Sequence, residues 1–161
     1  MIYEKFALNE LKIFSAELRH ARLILEILNP YIEKDIILPR DESDIQKNIN
    51  IFFISEFKGD IVGCTAVHDF GKGLFEIRSF AVKPEMAGKG VGSAMIAYAL
   101  DYVKNIKKGK KVFALTMRPN VFKLLGFKMV VKDMFPEKVW NDCAVCKKKD
   151  CCDEVAVLYE L

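Results

Sequence analysis

Apolar positions along the chain fall alternately into short runs and into helical spacings. Leu11 to Phe14 forms a short strand-like run, and Leu18, Ala21, Leu25 and Leu28 then recur at the spacing of one helical face up to Asn29-Pro30, where the helix is predicted to stop. A second short helix is predicted after Pro39-Arg40-Asp41, with Ile45 and Ile49 on one face. Ile51 to Phe57 and Ile61 to Phe70 are apolar runs joined by Lys58-Gly59-Asp60, a hairpin signal. Leu74 to Val82 is another strand, closed by Lys83-Pro84, and Val91, Ala94, Met95, Tyr98, Tyr102 and Ile106 follow at a helical period until Gly109. Val112 to Met117 reads as a buried strand, Asn120 to Leu125 as a short helix ending at Gly126, Phe127 to Val131 as a strand, and Glu154 to Tyr159 as a last strand. The pattern predicts an α/β (α+β) fold: a mixed sheet of about six or seven strands with about four helices.

Composition narrows the class without naming a partner. With 52% apolar and 29% charged residues and no repeat or Pro/Gly/Ser linker, residues 1–161 read as one globular domain. The net charge of +3 favours anionic ligands in general and falls short of a nucleic-acid footprint, so no nucleic-acid partner is expected. Lys104, Lys107, Lys108, Lys110 and Lys111 gather at a helix end, where cations suit the dipole and solvent. No apolar run nears the ~20 residues that span a bilayer, and no leader-like start is seen, so a soluble cytoplasmic protein without a membrane partner is expected. The five cysteines fit a reducing compartment: Cys64 stands in a strand, and the others crowd into the Cys-rich segment 135–153. There, Cys143-x-x-Cys146 with Cys151-Cys152 offers three or four thiolates to one structural Zn²⁺, although an adjacent second pair chelates poorly; reduced thiols or a reversible disulfide stand beside that reading.

The chemistry concentrates between Leu74 and Ile106. Gly88, Gly90 and Gly92 at alternate positions let backbone N–H groups converge just where a helix, with the positive end of its dipole, begins. Such a turn binds phosphate. A Walker A loop requires Ser or Thr after the lysine, but Gly90 follows Lys89; a dinucleotide fingerprint requires a third glycine where Ser93 or Met95 stands. A glycine-rich turn with no ligand is the remaining alternative.

The segment Phe80-Ala81-Val82-x-Pro84-x-x-x-Gly88-Lys89-Gly90-Val91-Gly92 resembles the signature of the GNAT superfamily of acyl-CoA-dependent N-acetyltransferases. That resemblance implies acetyl-CoA as co-substrate, its pantetheine arm pairing with the backbone of Phe80, Ala81 and Val82 as an added strand does. It also implies a pyrophosphate on the amides of Gly88, Lys89, Gly90, Val91, Gly92 and Ser93, with Asn120 and Phe122 near the arm. Family members usually carry Arg or Gln where this chain has Ala87, so one side-chain phosphate contact is missing and Lys89 is its partial substitute. A tyrosine that often serves as general acid is matched by Phe122, which has no hydroxyl; water, Ser79, Thr116 or the amine's own proton are left to protonate the thiolate.

From Leu11 to Leu161 the chain is similar to the short, stand-alone form of amino-acid N-acetyltransferase of the N-acetylglutamate synthase type. The likeness is carried by Ile27-Leu28-Asn29-Pro30-Tyr31, Leu38-Pro39-Arg40, Val62-Gly63-Cys64, His68, Glu76-Ile77-Arg78-Ser79, Leu115-Thr116, Leu125-Gly126-Phe127 and Pro136-x-Lys138-Val139-Trp140-x-Asp142-Cys143-x-x-Cys146, with Cys152-Asp153-Glu154. It implies acetyl transfer to the α-amine of glutamate or a near relative, the first step of arginine biosynthesis. The kinase-like regulatory domain of longer synthases is not seen, so arginine feedback through it is not expected.

Such a transfer needs a base, because the amine is protonated near neutrality. Glu76, spaced to share a strand face with Arg78 and Phe80, is assigned that role, with His68 as the alternative; an ordinary Glu76–Arg78 ion pair is the competing explanation. A substrate carboxylate calls for arginine, and Arg78 and Arg40 rank ahead of Arg118, with Lys138 behind them. The rival functions are a GNAT enzyme acting on a peptide N-terminus or polyamine, and a non-catalytic acyl-CoA-binding or metal-dependent module. The oligomeric state is left open, a homodimer being the commonest assembly.

Overall fold

The computed structural model describes residues 9–135 and 154–161. β1 (Leu11–Ser15) leads through a one-turn 3₁₀ helix, Leu18–His20, into α1 (Ala21–Glu33). The buried stripe of α1 is Ala21, Ile24, Ile27 and Leu28, whereas Leu18 lies outside the helix and is exposed. The predicted stop at Asn29-Pro30 is not observed: α1 runs on to Glu33 with Pro30 inside it. Because Pro30 falls in the last turn, its missing N–H removes a single helical bond. That last turn is tied down independently, since the Tyr31 carbonyl accepts from the amides of Ile36 and Ile37 and its hydroxyl donates to the Val82 carbonyl.

α2 (Glu42–Lys47) starts where Asp41 caps it, accepting from the Asp44 amide at 2.7 Å, and buries Ile45. β2 (Phe52–Phe57) and β3 (Asp60–Gly71) meet in the predicted hairpin, and β3 turns again into β4 (Leu74–Val82). Both turns are two residues long, Lys58-Gly59 and Lys72-Gly73, and all four residues have positive φ, the geometry that matches the twist of the flanking strands. α3 (Val91–Asn105) returns the chain to β5 (Lys111–Thr116), which runs parallel to β4; α4 (Pro119–Lys123), β6 (Lys128–Val130) and β7 (Val155–Glu160) complete the described elements. The described strands form one sheet in the order β1-β2-β3-β4-β5-β7-β6, antiparallel except at β4/β5. This is the expected mixed α/β architecture.

Alternation along the strands divides the core between two faces. Phe53, Val67, Phe75, Ile77, Val112, Ala114 and Val157 pack with Ile96, Ala99 and Val103 of α3 and Phe122 of α4. On the opposite face Phe52, Ile54, Cys64, Ala66 and Ala81 pack with α1 and with Ile45 of α2. No helix among the described residues is long and apolar enough to cross a membrane.

Candidate active site

The site begins where two strands part. β4 and β5 pair only over Leu74–Lys111, Phe75–Val112 and Glu76–Phe113; beyond that, β5 keeps its register with β7 and leaves β4. The edge of β4 from Ile77 to Val82 therefore has no strand partner among the described residues. An extended ligand with amide groups meets a row of backbone donors and acceptors there. The Phe80 and Phe122 rings, 5.9 Å apart, stand on the α3 side of this opening, and Phe122, only 2% exposed, is braced by Phe127 at 5.2 Å.

At the end of β4 the chain makes a 3₁₀ turn, Pro84–Met86, and enters the glycine segment. Gly88 and Gly90 have φ of +75° and +89°, a backbone that a side chain would strain, and Gly90 is the N-cap of α3. The first helical bond there is from the Ala94 amide to the Gly90 carbonyl, so the amides of Val91, Gly92 and Ser93 precede it and face the helix end. At Gly92 the constraint is one of space: a Cβ on it would lie 3.2 Å from the tip of Phe80, which would have to give by tenths of an ångström. Val91 and Ser93 are buried at the start of α3, while Ala87, Gly88 and Lys89 just before it are exposed; the N-terminus of a helix, with its unpaired amides and positive dipole end, suits an anion.

Glu76 lies at the closed end of the opening, 1% exposed, with Oε1 paired to Nε of Arg78. Its antiparallel neighbour is His68 on β3, whose ring lies 4.5 Å from Phe70; the Arg78 guanidinium carbon lies 5.7 Å from the Phe70 ring centre. Glu76, His68 and Arg78 are thus brought together. Phe80, expected on the same face, is not with them. A bulge between Cys64 and Ala66 of β3 and Arg78 and Ala81 of β4 adds a residue, so Phe80 packs with Val91 and Met95 of α3. Ser79 marks the bulge with φ of +49°, uncommon for a side-chain-bearing residue.

Two contacts hold Ser79 in that conformation. Arg40 Nη1 donates to its Oγ at 2.9 Å, and the Cys64 thiol approaches its carbonyl at 3.6 Å; burial pushes that thiol up to about 12, against a smaller opposing effect of Arg40. Arg40 also donates through Nε to Asp44 at 2.6 Å and lies 5.0 Å from the centre of the Phe52 ring. The candidate Arg40 is therefore at the bulge, bonded to Ser79, the residue that follows Arg78. Arg118 is exposed at the start of α4, its amide on Thr116 Oγ1 at 2.9 Å, and Asn120 is exposed on α4. Lys138, Cys143, Cys146, Cys151 and Cys152 lie outside the described residues, and no cluster of metal ligands occurs among the described ones. Sequence reading missed the bulge, for which Ser79 carries no glycine or asparagine signal, and the reach of Tyr31 to Val82.

A family model described as "Acetyltransferase (GNAT) family" matches residues 21–127, the stretch that contains the parted strands and the glycine cradle. The chain belongs to the GNAT acetyltransferase family. Among curated proteins it is 36% identical over 147 residues to an uncharacterised N-acetyltransferase of Chlorobaculum tepidum, covering 91% of this chain and 94% of that one. It is 28% identical over 130 residues to an amino-acid acetyltransferase of Mycobacterium tuberculosis, covering 79% and 72%. Among solved structures it resembles N-acetylglutamate synthase of Neisseria gonorrhoeae complexed with coenzyme A and N-acetyl-glutamate, with a TM-score of 0.82 at 25% identity. That match covers 94% of this GNAT chain and 35% of the synthase, so the chain spans about a third of its length.

Proposed function

We propose that this GNAT protein transfers the acetyl group of acetyl-CoA to the α-amine of an amino acid, with L-glutamate as the first candidate, the opening step of arginine biosynthesis. The observation that carries the proposal is the parting of β4 and β5 between the glycine cradle and Glu76, which offers an acyl-CoA chain an edge, an anion site and a buried carboxylate in sequence. The names of the Mycobacterium and Neisseria relatives support the choice of acceptor.

In this reading the amides from Gly88 to Ser93, aided by Lys89, hold the pyrophosphate, and the edge from Phe80 to Val82 pairs with the pantetheine arm beside Phe122 and Asn120. Arg78 and Arg40, and after them Arg118, attract the acceptor's carboxylate, for which the planar guanidinium fork is suited. Glu76, with His68 opposite it as the alternative, takes the ammonium proton. The freed amine attacks the thioester carbonyl carbon, the C–S bond breaks, and the departing thiolate takes a proton. Ser79 Oγ and Thr116 Oγ1 each accept a hydrogen bond, from Arg40 and the Arg118 amide, and so keep a proton to donate.

The test is thiol release from acetyl-CoA with a panel of amino acids, a peptide amine and a polyamine. Turnover confined to glutamate or glutamine supports the proposal. Turnover on the peptide or polyamine alone removes the amino-acid acceptor, and tight acetyl-CoA binding without any turnover removes the enzyme.

A further inference from the structure

Tyr31 is the residue that a helix ending at Asn29-Pro30 would have left outside α1. Carried one turn further, it spans from α1 to the last residue of β4, where its hydroxyl donates to the Val82 carbonyl. The direction of that carbonyl follows from its neighbour. The Lys83 amide donates to the Val62 carbonyl at 2.8 Å, towards β3. In a planar trans peptide the C=O points opposite to the N–H, so the Val82 oxygen points to the edge where β5 has departed. A phenol that donates its proton keeps lone pairs with which to accept. Tyr31 therefore moves the acceptor at this edge outward, from a backbone carbonyl to a side-chain oxygen.

We propose that Tyr31 is a positioning residue for the acyl-CoA arm: bound to Val82, its phenolic oxygen accepts an amide N–H of the pantetheine chain and sets how far the thioester slides along β4. The inference rests on the acyl-CoA site proposed above. It also couples α1 to the position of the acyl group, because the same hydroxyl links that helix to the cofactor strand. If Tyr31 instead competed with the arm for the Val82 carbonyl, its removal would tighten binding, the opposite sign.

Dissociation constants of acetyl-CoA and of adenosine 3′,5′-bisphosphate, which carries phosphates and no pantetheine, are to be measured for the wild-type protein and for Tyr31→Phe. The expected result is an acetyl-CoA constant raised roughly tenfold and a bisphosphate constant unchanged within about twofold, as the loss of one hydrogen bond to the arm requires. The unchanged nucleotide affinity doubles as the control for folding. An acetyl-CoA constant unchanged or lowered in Tyr31→Phe overturns the inference, as does a parallel rise for both ligands, which is the mark of a structural role. Wild-type protein that fails to bind acetyl-CoA at all removes the underlying site, and this inference with it.

Discussion

Glu76→Gln separates catalysis from structure because both consequences can be sized. Glu76 is 1% exposed and its partner Arg78 has a side chain 21% exposed. Breaking a fully buried ion pair costs about 3–5 kcal/mol; glutamine keeps the shape and an acceptor, and the partly exposed guanidinium is screened by solvent, so about 2 kcal/mol is expected here. At this chain length that lowers the melting temperature by about 4–8 °C. A domain with about 5–15 kcal/mol of stability stays more than about 99% folded after such a loss, so unfolding cannot account for a large fall in activity. Loss of a general base lowers kcat/KM by about 10²–10⁴-fold near neutrality. The deficit narrows as pH rises, because the amine then loses its proton to solvent without help. Thiol release across pH 6.5–9.5, beside thermal unfolding of both proteins, reads the two effects separately. A folded Glu76→Gln protein with kcat/KM within about threefold of wild type at every pH would refute the assignment and pass the role to His68.

Three further outcomes follow from the geometry. Gly92→Ala places a methyl 3.2 Å from the tip of Phe80, a shift of tenths of an ångström, whereas Gly92→Val drives that ring into the opening; the valine variant is expected to lose about tenfold or more in acetyl-CoA affinity at about 1–3 kcal/mol of stability, by calorimetry and unfolding. His20 Nδ1 accepts from the Glu17 amide at 2.9 Å, and burial first, then Arg19, lowers its pKa from the ordinary value near 6.5. The unfolded chain thus binds more protons just below pH 6.5, so stability falls as pH drops below that value, by at most about 1.4 kcal/mol per unit. His20→Gln should flatten that part of the profile, and an unaltered slope contradicts the assignment. Cys64, fully buried with its thiol raised to about 12, should resist iodoacetamide at pH 8 in the folded protein and react after denaturation, as peptide mapping will read.

Local signals made much of this molecule legible. The Lys58-Gly59 hairpin, the strand Leu74–Val82 and the glycine turn opening α3 are written in a few adjacent residues each, and the structure has them where the pattern puts them. What the pattern misses depends on partners distant in sequence. α1 runs past Pro30 to Glu33, and its last turn is tied by Tyr31 to an acceptor on a strand about fifty residues away, which no local pattern announces. Phe80 leaves the face of Glu76 because strand register is a property of two strands, and the bulge at Ser79 is held by Arg40 and Cys64 from other elements. The strand order, with β7 between β5 and β6, and the end of β4/β5 pairing at Glu76–Phe113 likewise have no local signature.

The most direct test of the acyl-CoA site is a backbone amide NMR titration with acetyl-CoA. Shifts concentrated at Phe80–Val82 and Gly88–Ser93, saturating with one ligand per chain, are the expected result. A cavity of about 340 Å³ lined by Lys72, Lys110 and Lys111 lies at the other end of β4 and β5; shifts confined to it, or none at saturating ligand, would contradict the site.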